Sequence, residues 1–143
     1  MNAKEYLGQA YRLDLKITSK IEQLESLRAL SYRVTSSIGD ERVAGTKEKS
    51  PMENAIIKII MFENEINKEI DAFVDIKLEI SSKIKVVCNE EHRILLEFRY
   101  LCFNSWEQIA VKMGYSCSYV YKQHHYAIKN FDKVLKSKDV NKY

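Results

Sequence analysis

Every seventh residue from Ile59 to Val87 is apolar: Ile59, Ile66, Phe73, Ile80 and Val87. A row that long, with no glycine or proline inside it, demands a long helix with a buried seam. The start signal sits where such a helix needs it. Ser50 can cap the first turn, Pro51 suits the first helical position, and Glu53 can reach back to close a capping box. The helix is therefore predicted from 51 to about Val87. The companion heptad row reads Ile56, Glu63, Ile70, Lys77, Ile84. Its two charges would fix register or oligomeric state at some expense of stability. Ile57, Ile60, Val74 and Ile76 fall outside the seam, so burial of more than one side is expected.

A second stripe precedes it. Leu13, Ile17, Leu24, Leu27 and Val34 recur at helical spacing, widened by Ile21 and Leu30. They predict one helix from about Ala3 to Ser37, roughly 50 Å long at 1.5 Å per residue. Residues 39–50, "GDERVAGTKEKS", carry two of the four glycines and read as a loop. Two long helices around a loop fold most simply as an antiparallel, coiled-coil-like hairpin, here assigned to residues 1–88. A hairpin alone buries little. It calls for a second copy, giving a homo-oligomer, or for a partner protein; a three- or four-helix bundle within one chain is the alternative.

Charge separates the two ends. Residues 1–88 hold 14 Lys/Arg and 14 Asp/Glu, whereas residues 116–143 hold 6 against 2. A local positive excess suits phosphates, and equally suits a solvated helix end. Three cysteines without framework spacing read as reduced thiols in a cytoplasmic protein. No run of about eighteen apolar residues predicts a membrane span, and Met1 to Glu5 lack a signal-peptide core. Cys88, His92, Cys102, Cys117, His124 and His125 include no C-x-x-C or H-x(3–5)-H pair, so no metal is expected. Neither a glycine-rich phosphate loop nor a nucleophile with its base is present. No enzyme activity and no cofactor are expected.

Residues 89–143 have the most specific pattern. Asn89 should cap a helix opening with Glu90 and Glu91, with Ile94, Leu95, Phe98, Leu101 and Cys102 on its apolar face and Asn104 at its end. Ser105 and Gln108 should form a capping box for a short helix anchored by Trp106, with Ile109, Ala110 and Met113 inward. Gly114 can take positive φ and stop it. Ser116 should cap a last helix with Val120, Ala127, Ile128, Phe131 and Leu135 inside. A small alanine facing a valine across a glycine turn makes a helix-turn-helix unit. The fold class is therefore all-α: a long helical hairpin followed by a helix-turn-helix.

The segment "NEEHRILLEFRYLCFNSWEQIAVKMGYSCSYVYKQHHYAIKNF", residues 89–131, resembles the fourth conserved region of sigma-70-type transcription factors. Phe98-Arg99-Tyr100-Leu101, Glu107-Gln108-Ile109-Ala110, Met113-Gly114, and then Val120, Ala127 and Phe131 carry the likeness. The whole layout is similar to small phage-encoded, ArpU-like transcriptional regulators of Gram-positive bacteria. The resemblance implies double-stranded DNA as partner, RNA polymerase as a further one, and groove-facing positions at Cys117, Ser118, Tyr121, Lys122 and His125. Ser105, Ser116, Tyr119, Lys129 and Lys133 are the expected phosphate contacts. Sigma recognition helices usually carry Arg and Glu at these positions, and this one has neither. His124 falls on the inner or boundary face, and Tyr115, Tyr119 and Tyr126 suit packing as well as phosphate contact. The competing function is a helical module that binds RNA polymerase or another transcription factor without reading DNA.

Overall fold

The computed structural model describes residues 1–38 and 51–140, with side chains at 1–33 and 51–137. Every regular element among them is helical: α1 (Ala3–Leu7), α2 (Gln9–Ile38), α3 (Pro51–Ile84), α4 (Glu90–Leu96), a π-turn (Glu97–Leu101), α5 (Trp106–Met113) and α6 (Cys117–Val140). The fold is all-α, as the periodicity requires. The loop read at 39–50 and the Ser50 cap lie outside the described residues.

The helices form two compact units. One contains Met1–Asp14 and the described chain from Phe73 onward; the other contains the described part of Leu15–Ala72. The units part inside α2 and α3, whereas the sequence reading draws its line at 88/89.

In the 15–72 unit, α2 and α3 run antiparallel. Lys16 and Lys20 pair with Glu69, at 3.2 and 2.6 Å, while Arg28, further along α2, pairs with Glu63, further back on α3. The Lys20 hydrogen bond, followed by that from Lys16, holds the Glu69 carboxyl below its ordinary value. Such pairs fix register more than they stabilise. Buried apolar side chains here are few: Ile17, Leu24 and Ile66. Among the described residues the expected second buried side is not found. Ile57, Ile60 and Val74 are exposed, as are Ile56 and Ile70 of the heptad row, and only Ile76 is half-buried. The two interrupting charges have local partners, Arg28 for Glu63 and the Phe73 and Phe103 rings for Lys77.

The other unit has a denser core: Ala3, Leu7, Ala10, Ile80, Ile84, Val87, Leu96, Ala127 and Phe131. Its N-terminal part differs from the single helix expected. The helix is interrupted by a single turn at Gly8, which keeps a right-handed conformation (φ −75°, ψ −5°) and still bonds the Lys4 carbonyl and the Arg12 N–H. The turn is stabilised locally. Arg12 Nη2 donates to the Glu5 carbonyl and Gln9 Nε2 to the Tyr6 carbonyl, so side chains serve acceptors near the interruption. Asn2 and Glu5 close a capping box ahead of α1. The heptad helix also ends earlier than expected, at Ile84. Val86 and Val87 N–H groups close tight turns onto the Lys83 and Ile84 carbonyls, and Val87 still reaches the core.

Candidate nucleic-acid interface

α4 begins as its sequence dictates. Asn89 accepts from the His92 N–H at 3.2 Å, with Glu90 and Glu91 in the first turn where the helix dipole favours them. Its buried face is His92, Leu95 and Leu96. Ile94 and Cys102, expected on that face, are exposed. For Cys102 the shift follows from the end of the helix. The Cys102 N–H bonds the Glu97 carbonyl, one residue wider than an α-turn, so the last turn rotates relative to a straight helix.

The chain then reverses through Phe103, at a left-handed φ of 58°. A bulky residue there carries strain of about 1–2 kcal/mol. Its ring is held by Tyr11 at 5.7 Å and Phe73 at 6.3 Å. Buried Asn104 ties the reversal together. Its N–H donates to the Phe98 carbonyl, its own carbonyl accepts from Arg99, and its Oδ1 accepts from Lys112.

α5 opens with the expected capping box. Ser105 Oγ accepts from the Gln108 N–H, and Gln108 Oε1 accepts from the Ser105 N–H at 2.8 Å. Ile109, Ala110, Leu95 and Val120 form one buried cluster, with Phe98, Trp106, Met113 and Cys117 against it. Gly114 ends α5 at φ 75°, in the left-handed region. A Cβ there would meet no heavy atom within 4 Å. Replacing Gly114 by valine therefore adds backbone strain without a clash, and is expected to destabilise this unit by about 1–2 kcal/mol. Chemical denaturation of the variant checks this; an unchanged midpoint contradicts the turn.

Ser116 caps α6 through the Tyr119 N–H at 3.2 Å. Val120, Ala127 and Phe131 are buried along one side. On the opposite side, Ser118, Lys122, His125, Lys129, Lys133 and Lys136 are all exposed. Their spacings of four, three, four, four and three residues put them on one straight stripe. At 1.5 Å per residue it extends about 27 Å. Lys136 pairs with Asp132 at 3.0 Å; among the described residues Lys122, Lys129 and Lys133 have no ion pair. Tyr121 flanks the stripe, half exposed, its ring 5.0 Å from Trp106.

Four of the five expected groove-facing residues, Ser118, Tyr121, Lys122 and His125, are thus exposed on α6. The fifth, Cys117, is half-buried, with its side chain packed against the Val120 cluster. Among the expected phosphate contacts, Lys129 and Lys133 lie on the stripe. Ser105 and Ser116 use their oxygens as caps and keep only their hydroxyl protons to donate. Tyr119 lies 4.4 Å from the Tyr115 ring. Its phenol is pushed above its ordinary value by loss of water and then by the Glu91 carboxylate it bonds, a poor neighbour for a phosphate.

Two buried histidines orient this helix. Asn130 Nδ2 donates to His92 Nδ1 at 2.8 Å, and His92 Nε2 donates to Gln123 Oε1 at 3.1 Å. His124 lies on the inner side, as expected. It stands 2.7 Å from the Tyr100 hydroxyl and edge-on to Trp106. Burial first, then the charges of Lys4, Arg99 and His125, lowers its pKa to about 4. The ring is neutral near pH 7, so the Tyr100 O–H donates to Nε2. The His92 clamp was missed from sequence, although Gln123 and Asn130 are seven residues apart and must share a face.

Among the described residues no three His, Cys, Asp or Glu side chains gather as a metal site requires, and no helix is long and apolar enough to cross a membrane. Neither a curated protein nor a solved structure matches the chain. The family described as "Protein of unknown function (DUF1492)" matches residues 32–132. That match covers well over half of the 143 residues, so the chain belongs to the DUF1492 family.

Proposed function

We propose that the protein is a sequence-specific double-stranded DNA-binding transcriptional regulator, with α5, Gly114 and α6 acting as a helix-turn-helix and α6 entering the major groove. The observation that carries this reading is the exposed Ser118–Lys122–His125–Lys129–Lys133 stripe on a helix whose other side is locked into a core. A rigid cationic rod suits a charged groove about 12 Å wide. The likeness of residues 89–131 to sigma region 4, and of the layout to ArpU-like phage regulators, supplies the regulatory part of the proposal. In that role Ser118, Tyr121 and Lys122 face bases, while Lys129 and Lys133 lie along phosphates.

Lys122→Ala is expected to weaken binding to a selected duplex by about 1–3 kcal/mol and to relax preference at one base pair. Lys58→Ala, in the 15–72 unit, should change neither. Titration of a labelled duplex compares them; equal binding by the Lys122 variant removes the groove role.

The 15–72 unit supports a dimer as the second element of the proposal. Leu15, Leu30, Ile60 and Met61 are each at least half exposed, while the described residues of this unit bury only three apolar side chains, Ile17, Leu24 and Ile66. A second copy would cover that surface and present two recognition helices to half-sites about one DNA turn apart. Sedimentation at micromolar concentration should show a dimer. A monomer there, with activity lost on mutating this surface, favours instead a module that docks on RNA polymerase or another transcription factor.

A further inference from the structure

We infer that α6 reads thymine, through contact of the Tyr121 ring with the thymine 5-methyl group. This rests on the proposed role of α6 and adds to it the base class that it selects. The major groove offers each base one preferred kind of reader: arginine or lysine for guanine, a free amide for adenine, a carboxylate for cytosine, and an apolar contact for the thymine methyl. α6 lacks most of these. It contains no arginine and no glutamate. Its two amides, Gln123 and Asn130, are both committed to His92. Its first carboxylate is Asp132, more than three turns from the N-terminal end and paired with Lys136. Lys122 remains as a single donor for guanine or a phosphate.

Aromatic surface remains as well. Tyr121 is 50% exposed on the second turn, one residue from Lys122. Trp106 braces it, and Arg99 stacks on that same indole at 4.3 Å, so the ring is fixed before DNA arrives. A held ring loses little freedom on contact. Ser118, three residues earlier on the same exposed side, can donate to the neighbouring thymine O4. Ring on methyl and hydroxyl on O4 together distinguish thymine from cytosine, which has neither group in the major groove.

The test uses the full chain and a duplex selected from a randomised pool. Each thymidine is replaced in turn by deoxyuridine, which removes one methyl and keeps every base pair. Burial of one methyl-sized group corresponds to about a three- to fourfold change in affinity. A loss of that size is expected at one position or more, retained in Tyr121→Phe and absent in Tyr121→Ser. Should Tyr121→Ser lose helical circular dichroism, the deoxyuridine series with Tyr121→Phe still decides. Binding indifferent to every thymidine replacement overturns the inference and leaves DNA binding standing. Methyl sensitivity that persists in a folded Tyr121→Ser overturns the assignment to Tyr121. A pool yielding no duplex bound above a scrambled control removes the DNA reading itself, and this inference with it.

Discussion

Phe131→Ala is expected to destabilise the α4–α6 unit by about 3–5 kcal/mol, a large part of the stability of a small domain. Phe131 is fully buried at the meeting point of four parts of the chain. Its core cluster draws Ala3, Leu7 and Ala10 from the N-terminus, Ile80 and Ile84 from α3, Leu96 from α4, and Ala127 from its own helix. The Tyr6 ring lies 5.9 Å away. Three of those neighbours are alanine-sized or tied to helix backbones, so the void cannot collapse easily, and a poorly relaxing void sits at the upper end of the range. Urea denaturation followed by circular dichroism measures the loss. A change below about 1 kcal/mol would mean that the N-terminal turn does not pack on α6.

Stability is also expected to fall on acidification, by about 1–3 kcal/mol between pH 6.5 and pH 4, because of His124. The folded pKa, near 4, lies below the ordinary 6.5. Above pH 6.5 the ring is neutral in both states and the native contacts are intact. As pH falls below 6.5 the unfolded chain takes a proton that the native ring refuses, and stability drops until the folded ring protonates near pH 4. The figure is set below the full linkage value because the ring retains some contact with water. Tyr100, Trp106, Arg99, Lys4 and His125 are the groups around it. Tyr100, pushed up to about 12 by burial, stays protonated as the donor throughout this range. A His124→Gln variant should lose this part of the pH profile, whereas carboxylates titrating in the same window affect both proteins alike. Parallel profiles for parent and variant would contradict the buried, neutral ring.

Most of the C-terminal architecture was legible because its signals are local. Asn89, Ser105 with Gln108, Gly114 and Ser116 each act within four residues, and all four do what their chemistry implies. The positions at 120, 127 and 131 follow from helical period alone. What escaped depends on contacts distant in sequence. Phe103 takes a left-handed φ without being glycine, asparagine or aspartate, and the Tyr11 and Phe73 rings and the Lys77 ammonium hold it there. No residue near 103 announces that turn. The π-turn before it rotates the end of the α4 segment, which is why Cys102 misses the face that a straight helix gives it. The turn at Gly8 likewise interrupts the helix expected from Ala3 to Ser37, with Arg12 and Gln9 serving nearby carbonyls.

The candidate interface was partly legible for the same reason. Exposure of Ser118, Tyr121, Lys122 and His125 follows once Val120 is placed inside. Cys117, the first residue of α6, is less exposed than the other four because it also packs against the Val120 cluster. The stripe running on to Lys133 and Lys136 is a periodicity that local motif matching overlooks. The commitment of Gln123 and Asn130 to His92 joins two helices about thirty residues apart and has no local signature.

The salt dependence of duplex binding bears most directly on the proposed role of α6. Log affinity for a selected duplex, plotted against log salt concentration between about 50 and 200 mM, should fall with a slope of about −3 or steeper if Lys122, Lys129 and Lys133 each displace counterions. Replacing Lys129 and Lys133 together by glutamine should make that slope shallower by about two. A binding curve that does not respond to salt, or a slope unchanged by the double replacement, would contradict a phosphate-facing α6.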